Sequence, residues 1–400
     1  MPRLVLALFL FASLFMVSQP AQAQSGVQIV QPHVDYQFGE QAVFKAHLQM
    51  DAPLQEVYLS YQSQGKGVQT QKLSLGPNQE LSYTLDLRNG LLRPFARVTY
   101  WFTVRPENGD SIDSPRFSFD YEDNRFTWQT LEKGLFHVHW VEGDLAFGQE
   151  AENVAEQGLS SIQNLIPMDP PSDPFEIYIY PHAKDLQDSL EVGGEPWVAG
   201  HASPDLGVVL VSIPIGPEQE LNMEQQIPHE LAHVMLYQKT GEKYAGIPVW
   251  LSEGFASLAE LYPNADYSRA LDVARQNQSL LPMDSLCQAF PRDASGAFLA
   301  YAQSASFTRF IQQNYGSSGL NRLVQSYMDG LGCSEGTVAA LGVALSSLDT
   351  QWEQEVLGIN VQAVAWQKLS PYLSLFGLLL VFTAVPGFLL AHRGKEKAAH

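Results

Sequence analysis

The chain has 400 residues, 45% of them apolar and 11% aromatic, which is enough to fill more than one core. Two folded units are therefore expected, and a disordered chain is not. Acidic residues outnumber basic ones 43 to 23, for a net charge of -20, and such a polyanion is repelled by nucleic-acid phosphates, so no nucleic-acid partner is expected.

Residues 1–23 read as a secretory signal peptide: Arg3 supplies the positive start, Leu4 to Val17 the apolar core and Ala21-Gln22-Ala23 the cleavage site. From 27 to 122 the apolar period is two. Phe44, Ala46, Leu48 and Met50 alternate with Lys45, His47 and Gln49, and Leu81, Tyr83, Leu85 and Leu87 alternate with Ser82, Thr84 and Asp86. About six or seven such strands, separated by turn-rich pieces such as Asn108-Gly109-Asp110, predict an all-β immunoglobulin- or fibronectin-like sandwich. It holds no cluster of catalytic residues and reads as a spacer or as a module for a protein partner.

A second unit is expected over 134–357. It opens with a strand at Phe136 to Trp140, where His137 and His139 share a face, a pattern more often found in packing than in metal ligation. Helical spacing then predicts a helix from Glu150 to Ile166, and alternation predicts a strand from Phe175 to Tyr180. Gly207 to Ile213 is a short apolar run that reads either as ordinary sheet or as an exposed edge that pairs with an extended peptide. After it the pattern is helical: Glu220–Tyr237, Val249–Tyr262, Tyr267–Gln276, Phe298–Tyr315, Gly319–Met328 and Val338–Leu357. Strands followed by helices make this an α+β unit with a mostly helical C-terminal half. Cys287 and Cys333 are the only cysteines and leave open a disulfide or two separate thiols.

Tyr372 to Ala391 is twenty residues without a charge, long enough for one transmembrane helix. Arg393, Lys395 and Lys397 follow it while Lys368 stands alone before it, so the tail at 392–400 is expected in the cytoplasm. The chain is then a single-pass protein of the cytoplasmic membrane with its bulk outside.

The segment whose residue types prescribe a chemistry is His229-Glu230-Leu231-Ala232-His233. On a helix, positions i and i+4 share a face, so both imidazoles can meet one zinc ion while Glu230 stands beside it. Catalytic zinc takes three protein ligands and leaves a position for water, whose pKa falls to about 7. For the third ligand Glu253, in Trp250-Leu-Ser-Glu-Gly-Phe-Ala256, leads over Glu242 and Glu260: Gly241, Gly246 and Pro248 turn the chain before a second helix begins. Glu230 then acts as general base toward the water and passes the proton to a leaving amine. A tetrahedral intermediate also needs an oxyanion donor, and Tyr301 is one of several tyrosines that could reach it.

His229-Glu230-x-x-His233 together with Trp250-Leu-Ser-Glu253-Gly-Phe-Ala resembles the gluzincin zinc metallopeptidases, and the span from about Phe136 to Gly330 resembles their peptidase MA-like family. The resemblance implies zinc on His229, His233 and Glu253, Glu230 as catalytic base, and an edge strand above the metal helix. It also favours Tyr301, because Ala300-Tyr-Ala-Gln-Ser304 is similar to a later helix whose tyrosine is a transition-state donor. The Gly-x-Met-Glu-Asn segment that grips a free amino end in the clan's aminopeptidases has no match, since Asn222-Met223-Glu224 lies too close to His229 to form that strand. Ser252 stands where those enzymes carry asparagine. The expected function is an extracytoplasmic, membrane-anchored metallopeptidase acting on peptide or protein substrates; the alternative is a catalytically silent binding or structural envelope protein of the same fold.

Overall fold

The structure, a computed structural model, describes residues 26–171, 173–190, 200–360, 366 and 369–379. The expected signal peptide, residues 380–391 of the expected span and the tail lie outside them. No helix among the described residues is long and apolar enough to cross a membrane. The chain divides into two compact units, Met1–Arg125 and Phe126–His400.

In the first unit, β1 (Val27–Gln37), β2 (Gln41–Met50), β3 (Leu54–Ser63), β4 (Gln69–Leu73), β5 (Glu80–Asp86), β6 (Arg97–Pro106), β7 (Ile112–Asp113) and β8 (Phe117–Asp120) form two antiparallel sheets. Their orders are β1-β2-β5 and β4-β3-β6-β7, with β8 also on β6. The period of two places Ala42, Phe44, Ala46 and Leu48 of one sheet and Val57, Leu59, Val98, Tyr100 and Phe102 of the other in one shared core. Phe44 stands against Tyr61 and Tyr100 with ring centroids 5.6 and 5.3 Å apart, which makes the unit a two-layer β-sandwich.

The second unit starts with a strand absent from the sequence reading, β9 (Gln129–Lys133), before β10 (Phe136–Trp140). Then come α1 (Leu145–Leu165), β11 (Phe175–Tyr180), α2 (Ala183–Gln187), β12 (Gly200–Ser203) and β13 (Val208–Ser212). The sheet order is β12-β13-β11-β10-β9, parallel in the middle and antiparallel at both edges. The Gly207 to Ile213 run is therefore not an edge: β13 is paired on both sides, and the edge beside it is the short strand Gly200-His201-Ala202-Ser203. Four small and polar residues carry no alternation long enough to announce a strand; pairing with β13 makes them one. Phe136, Val138, Ile177, Ile179, Val209 and Val211 cover one face of the sheet and pack with residues of the helices, so the core lies between sheet and helices.

Helices α3 (Gln219–Thr240), α4 (Val249–Ala259), α5 (Asp266–Asn277), α6 (Ala294–Met328), α7 (Cys333–Leu341) and α8 (Leu345–Glu355) follow. Asp144 caps α1, accepting from the Ala146 and Phe147 N–H groups at 3.0 and 3.2 Å. The helix expected over Val338–Leu357 is two, because Gly342 takes a left-handed φ of 76° that ends α7 in a C-terminal cap. Likewise α6 breaks at Gly316, φ 67°, between the two helices that spacing predicts there.

Cys287 and Cys333 form a disulfide across 46 residues. Loop closure of this length removes roughly 4 kcal/mol of unfolded-chain entropy. The bridge sits under the start of α4: the Cys287 carbonyl accepts from Val249 N–H at 3.0 Å, and Trp250 Nε1–H points at Cys333 Sγ.

Asp349 on α8 braces the same region. Its Oδ2 accepts from Met283 N–H at 3.1 Å, while Oδ1 is buried without a hydrogen-bond partner. Burial pushes the carboxyl up to about 6 from its ordinary 3.8. The folded chain thus holds this proton more tightly than the unfolded one, and the stabilisation present near pH 4 is lost as pH rises through about 6. In Asp349→Asn, which stays neutral, the melting temperature should gain on that of the wild type between pH 4.5 and 7.5, as read by scanning calorimetry across that range. A difference independent of pH would assign the titration elsewhere.

Candidate metal centre

Pro228 lies inside α3 and has no N–H, so the carbonyl of Glu224, four residues back, lacks its helical donor. Leu261 N–H takes that place at 3.0 Å. This bond ties the chain just beyond α4 to α3, five residues before the first histidine. Gly158 of α1 makes room for the proline ring, since a Cβ there would stand 2.9 Å from Pro228 Cβ. Gly254, the neighbour of Glu253, lets α4 close on α6: a Cβ would run into Thr308 Oγ1 and the Ser304 carbonyl.

The approach of α3 and α4 brings His229, His233 and Glu253 together, and among the described residues they are the group of three whose donor atoms all lie within 4.8 Å of one another. Glu253 Oε2 is 3.4 Å from His229 Nε2 and 3.5 Å from His233 Nε2. Donors on a tetrahedral zinc ion, with bonds of about 2.0–2.2 Å, stand about 3.4 Å apart. The residues present therefore fit such an ion.

Both imidazoles turn Nε2 to this point because Nδ1 is engaged. Glu260 Oε1 lies 3.0 Å from His229 Nδ1. Tyr244 OH and Ser252 Oγ lie 3.0 and 3.2 Å from His233 Nδ1, and 3.1 Å from each other. Such partners fix the tautomer and aim of a ligating ring. Glu260 is thus a support of His229, not a ligand, and Glu242 is exposed on the 3₁₀ turn Gly241–Gly246, away from the triad.

The electrostatics ask for a cation. Burial opposes a charge on His229, yet hydrogen bonds to Glu253 and Glu260 hold its proton well above the ordinary imidazole range. Burial would raise Glu253, but His233 and His229 pull its carboxyl far below the usual range. Glu230, 9% exposed, stays off the triad, and burial raises its pKa above the ordinary carboxyl value. The nearby Glu253 charge and burial raise the Tyr301 hydroxyl, whose ring centroid is 6.5 Å from that of His229. All five residues singled out by the sequence meet at one place.

Other candidates do not. His137 and His139 face Glu176 on β11, each 2.8 Å from a different carboxylate oxygen, and His139 stacks on Tyr178. They form a separate hydrogen-bonded cluster on the sheet. Asn222-Met223-Glu224 lies on the first turns of α3 and is no strand. Sequence reasoning missed Tyr244 and the supporting role of Glu260; the one signal for the latter is its place two turns after Glu253.

A pair of histidines one turn apart on a buried helix, completed by a glutamate from a crossing helix, defines a metallopeptidase-like site. The chain belongs to the peptidase MA superfamily, whose family model matches residues 154–358. No curated protein matches it in sequence. Among solved structures it is similar to a myokine (15% identity, TM-score 0.21, covering 24% of this chain and 99% of that one). It is also similar to the fn3 domain of human collagen alpha-1(XX) (14%, TM-score 0.19, 27% and 91%) and to a polysaccharide deacetylase from Bacillus cereus (11%, TM-score 0.20, 44% and 59%). Similarity at this level says nothing about the activity of this chain.

Removing a hydrogen-bonding partner of a ligand histidine should weaken metal binding while the fold stays. Glu260→Ala and Tyr244→Phe are each expected to lower zinc affinity by about 10- to 100-fold, read by competition with a chromophoric chelator. Wild-type affinity in both would show that these groups do not aim the histidines.

Proposed function

We propose that the chain is a zinc-dependent peptide hydrolase of gluzincin type. The observation that carries this reading is the convergence of His229 Nε2, His233 Nε2 and Glu253 Oε2 at the spacing of a three-ligand zinc site, with Glu230 buried beside them. Three protein ligands rather than four suit catalysis, and the two cysteines are spent on a disulfide.

Zinc, when bound, supplies Lewis acidity that polarises a carbonyl and acidifies water. Glu230 takes the proton from the attacking water and hands it to the leaving amine; its raised pKa brings it closer to neutral pH, where a general base works best. Tyr301 donates a hydrogen bond to the developing oxyanion. A phenol, whose ordinary pKa is about 10, is protonated at neutral pH, as a donor must be.

We further propose that the chain is anchored in the cytoplasmic membrane by 372–391, with 392–400 in the cytoplasm, the bulk outside and residues 1–23 removed as a signal peptide. In this reading 134–357 is the peptidase domain, and the sandwich over 27–122, read as immunoglobulin- or fibronectin-like, is a spacer or protein-binding module. Supporting the anchor, Leu369, Tyr372, Leu373, Leu375 and Phe376 are all exposed along the helical residues 369–379. Apolar side chains on every side of a helix suit lipid better than water.

Purified full-length protein should hold about one zinc per chain and cleave members of a quenched-fluorescent peptide library. Glu230→Gln should keep the zinc and lose activity by about 100- to 10,000-fold. Stoichiometric zinc with no cleavage anywhere in the library would leave a binding protein instead. A chain ending at residue 368 should leave the membrane fraction; if it stays there after carbonate washing, the anchor lies elsewhere.

A further inference from the structure

Gly200 opens the edge strand β12, and the heavy atoms nearest to where its Cβ would be all belong to Glu230: Oε1 in direct overlap, Cδ and Cγ each at 3.0 Å. No other residue contributes to these closest contacts. No backbone atom stands among those three neighbours either, unlike at Gly254, where the Ser304 carbonyl does. What a side chain at 200 would meet is the carboxylate of Glu230.

We propose that Gly200 is a positioning residue for the catalytic base: the edge strand leaves out one side chain so that the Glu230 carboxylate can lie under its backbone, beside the metal site. The inference rests on the reading of Glu230 as general base. Two features decide which partner would yield to a methyl group at 200. The strand is held to β13 through Gly200↔Val211, His201↔Leu210, Ala202↔Val209 and Ser203↔Val208. The clashing atoms are the far end of a flexible side chain, which swings at small cost. Glu230 therefore moves and β12 stays. The ligands are unaffected, because His229 is held by Glu260 and His233 by Tyr244 and Ser252. A base displaced by about 1 Å costs on the order of 100-fold in rate.

The test is Gly200→Ala in the full-length chain, read by zinc stoichiometry, by steady-state cleavage of a quenched-fluorescent peptide and by the crystal structure of the zinc-loaded variant. The expected result is full zinc occupancy, kcat down on the order of 100-fold with KM little changed, and Glu230 swung aside with His229, His233 and Glu253 in place. Glu230 unmoved with β12 shifted outward, or wild-type kcat, overturns the proposal. Should Gly200→Ala fail to fold, Gly200→Ala/Glu230→Ala decides. A double variant that folds and binds zinc as Glu230→Ala does locates the conflict at Glu230, and one that stays unfolded overturns the proposal. Silence of the wild type on peptides would sink the peptidase reading alone, since the crystal structure still decides whether Gly200 sets the place of Glu230.

Discussion

Three carboxylates, those of Glu230, Glu253 and Glu260, surround two imidazoles in a pocket largely withdrawn from water, and such an arrangement cannot stay together without positive charge in its middle. The high proton affinity of His229 and the low one of Glu253 are two signs of the same field. A divalent cation held by His229, His233 and Glu253 would supply that charge and leave each Nδ1–H for its own hydrogen-bond partner. The demand for a cation is the constraint on which the other features of the site depend.

Meeting it requires two helices to come close, and the chain achieves this by omission. Pro228 omits an N–H, and the carbonyl so released draws in Leu261 and sets Glu260 beside His229. Gly158 omits the side chain that would push the proline away, and Gly254 omits the one that would hold α4 off α6. Gly200 repeats the device on the sheet side, above Glu230. Below, the Cys287–Cys333 bridge secures the first turn of α4, one turn before Glu253. The rigid parts thus lie around the metal site, where small displacements cost most.

Much of this was legible in the residues. Period two over Phe44–Met50 and Leu81–Leu87 gave sheets with one buried face, and the i, i+4 spacing of His229 and His233 put both rings on one helix face, because those periods follow from backbone geometry. The sequence left Gly207 to Ile213 open as ordinary sheet or edge, and the structure makes it ordinary sheet. Val208–Ser212 looks like a strand because it is apolar, but apolarity reports burial, and a strand paired on both sides is the more buried one; the true edge, Gly200–Ser203, is too short and polar to show. The helix expected over Val338–Leu357 failed for a local reason: the folded chain uses the left-handed conformation of Gly342 as a helix end.

The sequence by itself determined the chemistry at hand, two imidazoles and a carboxylate set by helical repeat with a second carboxylate on a following helix, and the two folded units that bury their apolar residues. Only the tertiary structure decided which groups hold the ligands in place. Tyr244 and Ser252 on His233, Glu260 on His229 and Gly200 over Glu230 are contacts between different elements or across turns. No period within one segment encodes them, because they exist only once packing has brought separate stretches of chain together.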